Sequence, residues 1–319
     1  MAHYFYPEFQ CSLNIKMLNK LIANILPLMP KKLVWVFSKR YIAGETIDEA
    51  LLASKLLNEK KIEVTIDILG EFIKTLEEAR ENKNQYFDVI KRFTSEKITG
   101  SFSLKPTMFG LLIDKEACYN YIREIVALAA QKNSFIRIDM EDSSCVDMEI
   151  EIFKKLRAEF PKNVGLVLQS YLRRTMSDLE YLNAINSEIF PINFRLCKGI
   201  YVEPEKIAYK GYQEVRDKFL CHLDYMFRNK MYAAIATHDK YLVDNALLMI
   251  EKFKIPKNMY EFQMLYGVTP DLRQSIVDRG HKMRVYVPFG KQWFNYSTRR
   301  LKENPKMASE IIKALFVRG

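Results

Sequence analysis

Apolar side chains recur along this chain in two alternating rhythms. Residues 13–29 place Leu13, Met17, Leu18, Leu21, Ile22 and Ile25 at helical spacing, which predicts an N-terminal helix. A second helix is expected after Gly44-Glu45-Thr46, where Thr46 and Glu49 form a capping box ahead of Ala50, Leu51 and Leu52. From there short β-like runs alternate with helix-like stretches. Strands are expected at 64–69, 100–104, 135–138, 164–170, 192–197, 231–236, 260–265 and 283–287, with amphipathic runs such as 117–130, 149–159 and 241–253 in the gaps. Strand–helix alternation on this spacing predicts a parallel α/β fold, and eight units suit closure into a (βα)8 barrel. No linker-like or low-complexity tract divides the chain. The expected organisation is an N-terminal helical arm over residues 1–62 and one barrel domain over 63–319.

Polar residues cluster where these strands end. Glu71 follows the first, Lys105 the second, and Asp139 and Glu141 the third; Gln169 and Arg173 end the fourth. Arg195 and Lys198 belong to the fifth, Thr237 and His238 to the sixth, and Tyr286 to the eighth. In a barrel the βα loops converge on that rim, so active sites form there.

Composition narrows the chemistry. Of 319 residues only 11 are glycine, and neither G-x-G-x-x-G nor a P-loop spacing occurs, so a nucleotide cofactor would be held without those turns. The formal charge of +10 comes from Lys and Arg interleaved with acids along the chain, which reads as a solvated surface and not as a nucleic-acid stripe. Weak attraction to anionic membrane surfaces stays open. The five cysteines are odd in number and include no C-x-x-C pair, which points to reduced thiols in a cytosol-like compartment. The four histidines form no ligand-spaced cluster, so no metal is expected. Residues 1–10 do not read as a signal peptide, and the apolar segment 21–37 is interrupted by Pro27, Pro30, Lys31 and Lys32, too short and broken to span a bilayer.

Arg299-Arg300, in a helical run ending before Pro305, is the sharpest local feature. Guanidinium forks bind carboxylates or phosphates bidentately, and Tyr296 and Glu303 would flank the same side. A surface pair in i,i+4 salt bridges is the competing reading. Arg195 lies in a mostly apolar strand, which calls for a fixed negative or electron-rich partner, either a ligand or the rim acids Asp139 and Glu141. Gly199 would let a ligand approach the backbone closely. His238, a lone histidine at a strand end, reads more readily as a hydrogen-bonded structural residue than as a catalytic one. Asp139 and Glu141, two apart on a strand end, would share a face and raise glycoside chemistry, against which the surrounding cations argue.

Taken in order, several stretches resemble the proline dehydrogenase family in its short, FAD-dependent monofunctional form. They are Thr65-Ile-Asp-Ile-Leu-Gly70-Glu71, Ser103-Leu-Lys105-Pro, Ile138-Asp139-Met-Glu141, Gln169-Ser-Tyr-Leu-Arg-Arg174 and Arg195-Leu-Cys-Lys198-Gly199-Ile-Tyr201. Ala236-Thr237-His238-Asp239, Glu261-Phe-Gln263-Met-Leu265-Tyr-Gly267, Val285-Tyr286-Val-Pro288-Phe-Gly290 and Tyr296-Ser-Thr-Arg299-Arg300-Leu-Lys-Glu303-Asn complete the set. The resemblance implies a distorted (βα)8 barrel with its last helix over the top. It implies oxidation of L-proline to Δ1-pyrroline-5-carboxylate by hydride transfer from proline C5 to flavin N5. Lys105, Asp139, Tyr286, Arg299 and Arg300 would line the proline site, with Leu265 and Tyr201 as apolar walls. Gln169, Arg195, Lys198, Gly199, Tyr201, Thr237, His238 and Glu303 would hold FAD, and Glu71 would pair with Arg299 in a lid.

The same resemblance implies a quinone as electron acceptor, and the product would need a downstream pyrroline-5-carboxylate dehydrogenase. The amphipathic N-terminal helix and the positive charge are compatible with a cytoplasmic protein in peripheral contact with the inner face of the cell membrane, although helices of that kind usually pack on their own domain. Departures from the longer bifunctional relatives are Tyr266, Asp239 and Val202, where those proteins often carry His, Asn and Trp. The Lys60-Lys61 turn lacks an expected glycine. A flavin barrel acting on another cyclic amine or imino acid is the nearest alternative reading, and a basic RNA- or membrane-binding protein a remote one.

Overall fold

The computed structural model describes Val34, Trp35 and residues 38–70, 73–294, 296 and 297. The helix expected at 13–29, a last helix over the barrel, and Glu71, Arg299, Arg300 and Glu303 lie outside the described residues. Eight parallel strands close into one barrel in sequence order. They are β1 (Glu63–Ile68), β2 (Gly100–Leu104), β3 (Ile136–Ile138), β4 (Val164–Gln169), β5 (Asn193–Cys197), β6 (Tyr232–Ala236), β7 (Tyr260–Leu265) and β8 (Met283–Phe289). Closure comes from β1 pairing with β8, Thr65 opposite Tyr286. Every strand read from the sequence is present; β2 and β7 match at both ends and the others shift by one or two residues. The largest shift is at β8, which runs on to Phe289. Pro288 brings no N–H, yet its carbonyl accepts from Ala43 N at 2.9 Å and keeps the strand going.

The helices are α1 (Ile47–Glu59), α2 (Leu76–Ser95), α3 (Lys115–Gln131), α4 (Val146–Glu159), α5 (Thr175–Asn183), α6 (Tyr212–Arg228), α7 (Lys240–Lys252) and α8 (Pro270–Asp278). The Thr46–Glu49 capping box forms as its spacing predicts, Thr46 Oγ1 accepting from Glu49 N at 3.3 Å and Glu49 Oε2 from Thr46 N at 2.9 Å. Residue Lys61, in the turn that closes this helix, sits at φ 59, a left-handed position that glycine would hold at less strain. Although it precedes the first strand, α1 packs on β1 and β8 and covers their seam, the slot a helix after β8 fills in a regular barrel. Trp293, just after β8, joins this region through Nε1 to Glu45 Oε1 at 2.6 Å and a ring contact with Trp35, centroids 4.6 Å apart.

Strand residues alternate between the two faces of the barrel wall. The outward set, for example Ile66, Phe102, Ile138, Leu166, Leu196, Ile235, Phe262 and Val285, is fully buried against the helices. Each such side chain contributes about 1.5–3 kcal/mol of burial. Inward positions in most (βα)8 barrels are branched aliphatics. Here they include Thr65, Asp67, Ser101, Ser103, Arg137, Arg195, Glu261, Gln263 and Arg284, all buried. Buried ions persist only when paired. Accordingly Arg284 binds Glu261 (Nε to Oε1, 2.9 Å), Glu63 and the Val64 carbonyl (2.9 Å). Arg137 donates to the Asn193 carbonyl at 2.7 Å and to its side chain. Burial, with the nearby Arg195 charge, lowers the Arg137 guanidinium to about 9.

Candidate active site

At the C-terminal mouth the inward polar layer meets a cavity of about 600 Å³, a size suited to a cofactor and a small substrate. Its floor is one hydrogen-bonded set drawn from different strands. Asp139, the first residue past β3, accepts at Oδ1 from Arg195 Nη1 (2.8 Å) and Ser103 Oγ, and at Oδ2 from Tyr286 OH (2.9 Å). Lys105, at the exit of β2, donates to both oxygens of Asp67 (2.9 and 3.1 Å) and stands 3.5 Å from Tyr286 OH. Burial pushes the Asp67 carboxyl up against the pull of Lys105, and burial with the Asp139 and Asp67 charges pushes the Tyr286 phenol well up. Tyr286 therefore keeps its proton and serves as a donor to Asp139.

Arg195 is fixed on two edges. Nε donates to Gln263 Oε1 at 2.6 Å, Nη1 is held by Asp139 and Ser103, and the guanidinium lies 5.2 Å from the Tyr286 ring centroid. Its Nη2 is buried and meets no partner among the described residues. A buried, charged donor without an acceptor is costly, by about 1–3 kcal/mol or more, a cost that an ordered water or another acceptor offsets.

The outer side of the cavity is organised around Asp239, the N-cap of α7. Its carboxylate receives Arg216 Nε and Nη2, each at 2.8 Å, Lys198 Nζ at 3.1 Å and Tyr212 OH at 3.1 Å. Burial opposes ionisation of Asp239, but hydrogen bonds from Arg216 and Lys198 outweigh it and hold the carboxyl well below its usual range. His238 Nε2 accepts from Leu265 N at 2.8 Å, so that nitrogen carries no proton and the ring ties β6 to β7.

A family model described as proline dehydrogenase matches residues 50–313. This chain belongs to the proline dehydrogenase family. It is similar to Proline dehydrogenase 1 of Bacillus subtilis, 32% identical over 278 residues that make up 87% of this chain and 90% of that one. It is similar also to the proline dehydrogenase of Deinococcus radiodurans, 31% identical over 291 residues, 90% of this chain and 92% of that one. Among solved structures it resembles proline utilization A (PutA) from Bdellovibrio bacteriovorus inactivated by N-propargylglycine, with TM-score 0.82 and 27% identity. That match covers 91% of this chain but 36% of the longer PutA chain.

In this proline dehydrogenase family member, eleven residues singled out from the sequence line the one cavity. Lys105, Asp139, Gln169, Arg195 and Tyr286 form its base, and Lys198, Gly199, Tyr201, Thr237, His238 and Leu265 its walls. Other expectations are corrected. Glu141 does not share a face with Asp139: its carboxylate turns away to accept from Thr107 N (3.0 Å) and Thr107 Oγ1 (2.6 Å), anchoring the short 3-10 helix Pro106–Phe109. The glycosidase-like pair therefore does not exist. Arg173 points outward to the Glu205 carbonyl and the Tyr209 ring, away from the cavity. Gly199, at φ 106, is pressed by Tyr171, whose Cδ1 lies 2.1 Å from where a Cβ would stand. A neighbouring ring, not only a ligand, demands glycine there.

Asp67, Ser103, Gln263, Arg216 and Tyr212 were not singled out from the sequence. An acid within the otherwise apolar run of β1 was the available signal for Asp67, since such a residue needs a buried cation.

Proposed function

We propose that this chain oxidises L-proline to Δ1-pyrroline-5-carboxylate with bound FAD and passes the electrons to a quinone. The observation that carries the reading is the cavity of about 600 Å³ lined by Lys105 and Arg195, each already paired with an acid, Asp67 and Asp139. A flavin ring offers nitrogen and oxygen acceptors to cations so placed. The names of the similar curated enzymes support proline as the substrate.

FAD, when bound, supplies the two-electron acceptor for the hydride of proline C5. Gln169, Arg195, Lys198, Gly199, Tyr201, Thr237, His238 and Glu303 would hold it. The chain's own task is orientation. Arg299, Arg300 and Lys105 would fix the substrate carboxylate, Leu265 and Tyr201 would give apolar walls, and Glu71 would pair with Arg299 over the site. Asp67 keeps the Lys105 ammonium in place at 2.9 Å, so a carboxylate meets a preset charge. Tyr286, retaining its proton, keeps Asp139 and Arg195 in register.

We place the enzyme in the cytoplasm with peripheral contact at the inner face of the membrane. No helix among the described residues is long and apolar enough to cross a bilayer. The product calls for a second, downstream dehydrogenase. A visible spectrum before and after adding proline tests the reading. Flavin absorbance that bleaches with proline is expected, whereas protein that stays colourless after FAD is added sinks it. Bleaching by pipecolate but not proline would select the other cyclic-amine reading. Flotation with anionic vesicles tests the membrane contact, and failure to float removes it.

A further inference from the structure

The residue that aims Arg195 lies outside the set so far given a role. Gln263 sits mid-way along β7 between Arg195 on β5 and Glu261 two positions back. Its Oε1 accepts from Arg195 Nε at 2.6 Å, and its Nε2 donates to Glu261 Oε1 at 2.6 Å. The amide can point only one way, because Arg195 Nε–H only donates and an ionised Glu261 only accepts. Glu261 is held ionised: burial opposes its charge, but Arg284 and Lys282 outweigh burial and keep the carboxyl well below its usual range. A charge locked at one end of the amide thus polarises the carbonyl at the other.

From this geometry we propose that Gln263 is a positioning residue for the redox reaction. It couples the fixed charge of Glu261 to Arg195 through the amide dipole and locks the guanidinium plane, and so holds Arg195 in one pose at the cavity that would take the flavin. The inference rests on the flavin reading above. Asp139 supplies the counter-charge on one edge of Arg195, and the Glu261–Gln263 pair fixes another edge without setting a second carboxylate directly against it.

The test measures the midpoint potential of bound flavin across pH in wild type, Gln263→Met and Gln263→Glu. Gln263→Met should shift the oxidised/reduced equilibrium about tenfold toward the oxidised form, about 30 mV for a two-electron couple. Its kcat should fall more than its KM for proline rises. Gln263→Glu carries the sharper signature. A protonated acid at 263 reproduces both hydrogen bonds, its carbonyl taking Arg195 and its hydroxyl donating to Glu261. The titratable groups around that position are Glu261, Arg284 and Lys282 on the β7–β8 side, Arg195 on β5 with Asp139 bonded to its other edge, Arg137 on β3, and Tyr232 on β6 beside Glu261. The variant should therefore match wild type at low pH and drop below it as the new acid ionises, a break the wild type lacks.

Both variants matching the wild-type potential at every pH would overturn the inference while leaving the proposed function intact. A Gln263→Glu protein that fails to fold at low pH would overturn it as well. Wild-type protein that binds no flavin overturns both readings.

Discussion

Arg195 Nη1 and Asp139 Oδ1 meet at 2.8 Å inside the barrel, one residue reaching from β5 and the other from just past β3. Asp139 is also the acceptor for Tyr286, so one carboxylate sets two cavity-facing groups at once. Asp139→Ala would leave a buried guanidinium short of its counter-charge. Breaking such a pair by removing one partner costs about 3–5 kcal/mol. A loss of roughly 10²–10³ in kcat/KM for proline is expected in protein that still carries flavin. Steady-state kinetics normalised to flavin content checks it, and a loss below threefold would remove the pair from the site.

Arg300→Met addresses the proposed carboxylate clamp. Losing one guanidinium from a desolvated carboxylate should reduce kcat/KM by about 2–4 kcal/mol, chiefly through KM. Initial rates over a proline series decide it. An unchanged KM would exclude Arg300 from substrate binding.

Glu149, on the first turn of α4, is fully buried; Oε1 accepts from Glu141 N at 3.0 Å and Oε2 meets no partner among the described residues. Burial, then the charge of Glu141, pushes its carboxyl well above the usual range. A group bound to its proton more tightly when folded stabilises the fold below the unfolded carboxylate range and loses that stabilisation as pH rises. Glu149→Gln removes the ionisation. Urea unfolding at pH 5 and pH 8 should show the variant gaining on wild type at the higher pH, and parallel pH profiles would refute the assignment.

Gly199→Ala tests the contact with Tyr171. The substitution forces an L side chain into φ 106 and drives a Cβ into the ring. A loss of about 2–4 kcal/mol is expected from strain and overpacking together. Chemical denaturation measures it. Adding Tyr171→Ala should return the packing part and not the backbone part; a single variant as stable as wild type would show that the loop relaxes freely.

How far the chain could be read from its residues follows from where each interaction is closed. Strands such as β4 and β7 were legible because their outward apolar side chains must meet helices whatever else happens. The α1 start was legible because Thr46 and Glu49 close their bonds within one turn. Gln263 was not, since its meaning depends on Arg195, 68 residues away across the barrel. Asp67 likewise acquires its role from Lys105, 38 residues on. Glu141 was misread for the opposite reason. Alternation holds only while a strand lasts, and β3 ends at Ile138, so the backbone turn re-aims the side chain before 141. Of the two readings the sequence of Arg195 leaves open, the structure shows the pair with Asp139, and the ligand stays a proposal.

The polar interior has a consequence for how such a chain can vary. Glu63, Arg284, Glu261, Gln263, Arg195 and Asp139 are joined bond by bond from the entry of the barrel to the cavity floor. Replacing one member strands the next, so single changes along the axis are penalised while matched sets are not. The axis therefore behaves energetically as one block. Anyone redesigning the site would have to move that block as a unit.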